Sequence, residues 1–247
     1  MKSRTILGGL AGLAILAIGG FSLWFFVLRD DGPAKVSTDA ALDALADRTA
    51  TVANGSSPTA AAGQTPAVVA AGLNGTWTID TSLDSFVGYR VKEELAGIGG
   101  ATAVGRTKGV TGTVAITALQ AGTTTITADM TALKSDAAFR DDRLQTQGIE
   151  YGKFPTAEFK LAPTELPSEI EDGATTPVTL NGSLTLHGVT KDVEVGAEAT
   201  LKDGILVVVG EMDIEFADYA IEKPTAAKVV GMEDRGVMEF QLYFKKS

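Results

Sequence analysis

The chain has 247 residues, 45% of them hydrophobic, with no cysteine and a formal net charge of −10. That supplies enough apolar side chains for a core in one or two domains and excludes disulfides, thiolate nucleophiles and zinc–thiolate sites. Residues 1–73 carry five basic and five acidic groups, so the whole net charge belongs to residues 74–247. A region of that sign is repelled by nucleic acid and by anionic lipid surfaces.

The first segment is residues 1–28, a short basic tip and an uncharged run, "ILGGLAGLAILAIGGFSLWFFVL", from Ile6 to Leu28. As a helix this run reaches about 35 Å, enough for a hydrocarbon core of ~30 Å. Lys2 and Arg4 precede it and Asp30 and Asp31 follow it, with Arg29 the contrary charge. The positive-inside rule then predicts a single-pass anchor in the cell membrane, its N-terminus cytoplasmic and the rest extracytoplasmic. A cleaved signal peptide is the alternative, but its apolar region usually spans only ~7–15 residues. Without cysteine the chain cannot be a lipid-modified lipoprotein. Gly8 and Gly12 form a GxxxG spacing that gives weak support for dimerisation.

Residues 29–73 are rich in Ala, Thr, Ser, Gly and Pro and read as a flexible linker. Within them "TDAALDALADRTA" predicts a short helix capped at Thr38, whose mostly alanine apolar side offers little to dock. "NGSSPTAAAGQTPA" reads as coil. A fully flexible tether of this length has an r.m.s. reach of roughly 35–40 Å.

Residues 74–247 read as a domain of strands. In "VTLNGSLTLHG", Val178, Leu180, Gly182, Leu184 and Leu186 alternate with Thr179, Asn181, Ser183, Thr185 and His187. That period of two places His187 on the polar face. "KDVEVGAEA" repeats the alternation after Gly188, "GEMDIEF" sets Met212, Ile214 and Phe216 against acids, and "VMEFQLYF" sets Met238, Phe240, Leu242 and Phe244 against a more polar face. Further strands are predicted at about 76–80, 84–92, 109–118, 122–132 and 156–162. Eight or nine strands with short turns predict a mainly β fold, an antiparallel barrel or sandwich. "SDAAFRDDRLQTQG" predicts an inserted helix with Ser135 as N-cap and Gly148 as stop, Phe139 and Leu144 lying on nearby faces. Such a helix covers an open end or an edge. Asp141 and Asp142, flanked by Arg140 and Arg143, read as capping groups or surface ion pairs.

Three stretches then occur in order: "WTIDTSLDSFVGYRV", "RDDRLQTQGIEYGKFPTAEFK" and "GSLTLHGVTKDVEV", followed by "FADYAI" and a final apolar strand. Over residues 75–247 the chain resembles the YceI-like polyisoprenoid-binding family. The resemblance implies an antiparallel, lipocalin-like β-barrel of about eight strands, with an apolar lumen holding a polyisoprenoid or similar long-chain lipid. It departs from the family at Lys92–Glu93 and at Arg143, where relatives often place histidine, and in "GIEYGKF", which lacks the usual paired aromatics.

Nothing in the sequence marks a catalytic centre. The chain has no GxSxG elbow and no EF-hand spacing, and its lone histidine, His187, reads as a structural or solvent-facing corner residue. No catalytic residue, metal ligand or cofactor is predicted, and the expected partners are a prenyl or fatty-acyl lipid and the membrane itself, with no nucleic acid. Inward candidates are Val87, Tyr89, Val91, Ile126, Met130, Phe159, Leu184, Leu186, Met212, Phe216, Phe240 and Leu242. Alternation alone leaves open whether they line a lumen or fill a core; the family resemblance favours a lumen. Three functions compete: a membrane-tethered lipid-binding barrel, a cell-envelope structural or interaction module with a filled barrel, and a hydrolase using acidic residues in a cleft.

Overall fold

The period-two patterning emerges as long antiparallel strands. A computed structural model describes residues 32–54, 72–166 and 172–247. Ile6–Leu28 and most of "NGSSPTAAAGQTPA" lie outside them, and among the described residues no helix is long and apolar enough to cross a membrane.

Helix α1 spans Thr38–Asn54. The strands are β1 (Gly75–Ile79), β2 (Phe86–Leu95), β3 (Gly99–Thr107), β4 (Val110–Thr117), β5 (Gln120–Ala121), β6 (Thr124–Asp129) and β7 (Lys134–Ser135). Helix α2 (Ala138–Leu144) follows, then β8 (Thr156–Leu161), β9 (Thr164–Glu165), β10 (Thr175–Leu186), β11 (Val189–Lys202), β12 (Ile205–Glu215), β13 (Val229–Met232) and β14 (Arg235–Lys246). The order β3-β2-β14-β12-β11-β10-β8-β6-β4 is closed by β1, which pairs with both β14 and β4. Because β1 leads into β2 and β3 bends directly into β4, each pair fills one position, and the result is a closed eight-stranded antiparallel barrel. Closure leaves the main strands without a free edge.

Two hairpins fix the long strands in register. His187 and Gly188 have φ of 51° and 75°, and Asp203 and Gly204 have 51° and 79°. Both central residues at positive φ define the turn whose twist matches paired strands. The pairings Leu186↔Val189 and Lys202↔Ile205 close directly over them.

One end of the barrel carries the two-residue Asp203–Gly204 turn and the paired short strands β5 and β9. The other end is covered by Met130–Pro155, which carries α2, and by Phe216–Asp234, which carries a short 3-10 turn and β13. Helix α2 thus covers an open barrel end, as the sequence implies, but its details differ. Ala137 is the N-cap residue and makes no side-chain cap bond, while Ser135 belongs to β7. Asp141 is buried, its Oδ1 accepting the Ser135 N–H at 2.8 Å. It is not a surface partner of Arg140 or Arg143. Arg140 pairs instead with Asp136 and Glu93, and Arg143 donates to the Thr225 carbonyl at 2.6 Å.

Of the predicted linker, residues 33–45 are held against the barrel. Arg90 and Arg106 hold Glu239, which is fully buried, through bonds of 2.6 and 2.8 Å. Arg90 also donates to the carbonyls of Pro33 and Ala34, and Arg106 donates to Ala34 at 2.8 Å. Ser37 caps α1, its Oγ accepting the Ala40 N–H at 3.2 Å; Thr38 instead donates to the Glu198 carboxylate. Ala41 and Leu45 pack on Val207, Val209 and Tyr243, and the Tyr243 hydroxyl donates to the Ala41 carbonyl at 2.8 Å. The expectation of a weakly docking helix is therefore overturned. Alanine presents little surface, but it lets the helix backbone approach closely, and the barrel wall beneath supplies the valines and tyrosine.

Candidate functional site

Inward-facing residues of the barrel do not fill it. A cavity of about 460 Å³ lies under the covered end, and a second of about 150 Å³ lies deeper. Val87, Ala157, Leu184 and Met238 line both, so the two form one axial series. Phe139 and Lys228 line the larger cavity and are exposed, which places its mouth between α2 and the loop before β13.

Strand β2 contributes Val87, Tyr89 and Val91 to the upper wall; Met130, Leu184, Leu186 and Phe216 complete the predicted set there. Ile126, Phe159, Phe240 and Leu242 line the deeper cavity with Val87 and Leu184. Met212 lines neither. It packs against the buried cluster of Leu184, Ile214 and Tyr219 and against the main core. Its place on the inward face is right, but its neighbours fill the space in front of it.

Several lining residues were not in the predicted set: Leu95, Leu133, Phe139, Leu144, Ile149, Ile221 and Val229. They sit at a strand end, on α2 and in the covering loops, where a two-residue period has no meaning. Phe139 and Leu144 carried the only usable signal, as apolar residues of a helix expected to close an end.

Polar groups in the upper wall are mostly committed to one another. Glu93, buried on β2, holds Arg140 of α2 at 2.8 Å. Burial opposes the charge on Arg140, yet Glu93 and Asp136 together raise its pKa above the ordinary guanidinium value. Thr107 donates to the Asp129 carbonyl at 2.7 Å. Tyr89 differs: its hydroxyl is buried and has no hydrogen-bond partner, and burial raises its pKa well above the usual phenol value. Such a wall can hold a long apolar chain by contact and offers no nucleophile paired with a base.

His187 is not solvent-facing. The alternation that put it outside ends with β10 at Leu186, and its positive φ turns the ring back over the barrel rim. Its Nδ1 donates to the Tyr219 carbonyl at 3.0 Å, since a carbonyl can only accept, and Nε2 lies 2.6 Å from Glu150 Oε2. The Phe154 ring meets it edge-on, centroids 4.4 Å apart. His187 therefore ties the hairpin to both covering segments. It is a structural corner, as read, but a buried one.

The described residues thus form a closed antiparallel barrel with an axial apolar cavity, one end of it covered by α2. The chain belongs to the family of the YceI-like domain, whose model matches residues 77–244. Its fold is shared with a polyisoprenoid binding domain from Saccharophagus degradans implicated in plant cell wall breakdown, with a TM-score of 0.55 and 16% identity over 70% of this chain and 99% of that one. BcnA of Burkholderia cenocepacia is similar, with a TM-score of 0.51 and 16% identity over 67% of this chain and 98% of that one. No protein of curated function matches the sequence.

Proposed function

We propose that this protein holds one long-chain lipid, a polyisoprenoid or an acyl chain of similar length, inside its barrel, and that it does so tethered outside the cytoplasmic membrane. The observation that carries this reading is the 460 Å³ cavity with its predominantly apolar wall, a volume in the range of small-molecule sites. Burying ten methylenes there would contribute about 8 kcal/mol before entropic losses, close to what micromolar retention needs. Family membership and the fold shared with a polyisoprenoid binding domain support a lipid over other apolar ligands. Binding rather than catalysis fits a wall whose ionised pair, Glu93 and Arg140, is already satisfied.

The tether rests on the uncharged run Ile6–Leu28 and its Lys2/Arg4 flank. Solvent extraction of the purified protein followed by mass spectrometry tests the ligand. A stoichiometric prenyl or acyl lipid supports the reading; a protein that carries none and takes up none when offered favours a barrel with a purely structural role. Protease added to intact spheroplasts tests the tether, which requires release of the barrel as a soluble fragment.

A further inference from the structure

Among the described residues the large hydrophobic side chains left exposed are Ile98 at 39%, Phe139 at 60% and Val230 at 65%. Single exposed apolar residues are ordinary, but these three lie on neighbouring segments at the covered end of the barrel. Ile98 sits in the turn between β2 and β3, and Val230 is in β13, which pairs with the last residues of β2. Phe139 lies on α2 and lines the larger cavity together with Val229 and Lys228. Backbone and side-chain bonds lock the segments together: the Ala96 N–H donates to the Lys228 carbonyl at 2.8 Å, and Arg140 holds Glu93. Phe139 lies on the cavity mouth itself, and Ile98 and Val230 lie on the bonded segments beside it, outside the lining.

The N-terminal arm indicates what covers that end. Its first fixed points are the Pro33 and Ala34 carbonyls, held by Arg90 and Arg106. From there it moves steadily away from the mouth, with Lys35 at Glu211, Ala41 at Tyr243 and Arg48 at the Ser82 carbonyl. The five peptide steps from Leu28 to Pro33 extend at most about 18 Å. Arg90 is about 17 Å from the mouth end of β2 at Leu95, at ~3.3 Å per residue. Val237, opposite Arg90, is about 27 Å from Lys245 at the far end of β14. The end of the uncharged run can thus reach the level of the mouth but not the opposite end of the barrel.

We propose, resting on the tethered reading above, that the cavity mouth faces the bilayer, with Ile98, Phe139 and Val230 in its interfacial region. A lipid tail then passes between bilayer and cavity without crossing water. The partner is the zwitterionic lipid surface and the contact is apolar. Lys92, Glu94, Lys228 and Glu233 around the rim are of mixed sign, and the net negative domain gains nothing from anionic lipid.

The absence of cysteine makes the test clean. Single cysteines at Val230→Cys and Ile98→Cys, and at Gln120→Cys on the opposite end, are each labelled with a fluorophore in the full chain. Each is reconstituted into phosphatidylcholine vesicles containing nitroxide-bearing phosphatidylcholine. The labels at 98 and 230 lose most of their fluorescence to the lipid-borne quencher, while the label at 120 keeps its own. A chain that floats with the vesicles but shows no quenching at 98 and 230, or equal quenching at 120, overturns this orientation and leaves the tether standing. A chain that does not float with the vesicles overturns both.

Discussion

His187 shows how far one torsion can move a residue's role. Its side chain makes two hydrogen bonds and an aromatic contact while only 8% exposed, and these join the β10–β11 hairpin to both segments that cover the cavity. Replacing it with alanine leaves the Tyr219 carbonyl and the Glu150 carboxylate without that partner. We expect His187→Ala to cost about 2–3 kcal/mol in urea denaturation, well above a surface change. A cost below about 0.5 kcal/mol would return the residue to the surface role its position in the alternation implies. Tyr89 makes the opposite case. Its hydroxyl is buried with no partner, so removing the oxygen removes a desolvated group and no bond. Tyr89→Phe should leave the empty protein as stable as before or more stable by up to about 1 kcal/mol. A clear loss of melting temperature would mean that the hydroxyl is satisfied in solution.

Among the elements, strands with one wet face were legible because alternation reports a half-buried surface. β10, β11 and the β12 residues from Gly210 onward follow it closely. The earlier part of β12 breaks it: Ile205 to Val209 is apolar throughout, the mark of a strand covered on both sides. That run was the signal for α1, whose own sequence is too alanine-rich to announce a docked helix. β3, "GGATAVGRT", was invisible to the pattern because glycine and alanine give no hydrophobic contrast. The bond from Tyr243 to Ala41 makes the docking of α1 testable by pH. Burial, with the Asp84 carboxylate nearby, pushes the Tyr243 phenol up to about 12, above its unfolded value near 10. A raised phenol pKa stabilises the fold fully below pH ~10, and that contribution falls away as pH rises from there through about 12. Stability measured across this window should fall less steeply in Tyr243→Phe than in the parent chain. Identical slopes would show that the buried hydroxyl does not couple to folding.

For the molecule as a whole, strand count and turn spacing made an antiparallel barrel or sandwich legible, and the resemblance chose the barrel and supplied its lumen. What no pattern could reveal was the space itself. An inward leucine looks the same whether its opposite neighbour touches it or stands across a void, and Met212 and Leu184 illustrate the two cases. Both face inward, yet Leu184 lines both cavities while Met212 lines neither. The proposed lipid site therefore centres on the wall around Leu184. A carboxylate there is heavily penalised beside a lipid tail but can be hydrated once the cavity is empty. The measurement is the molar ratio of lipid to protein, by native mass spectrometry, in Leu184→Glu and in the parent chain, with circular dichroism confirming the fold. A lipid site gives a loaded parent and a mutant that is folded and empty. A folded mutant that keeps its full complement of lipid, or a mutant that unfolds because no water can reach the new carboxylate, would contradict it.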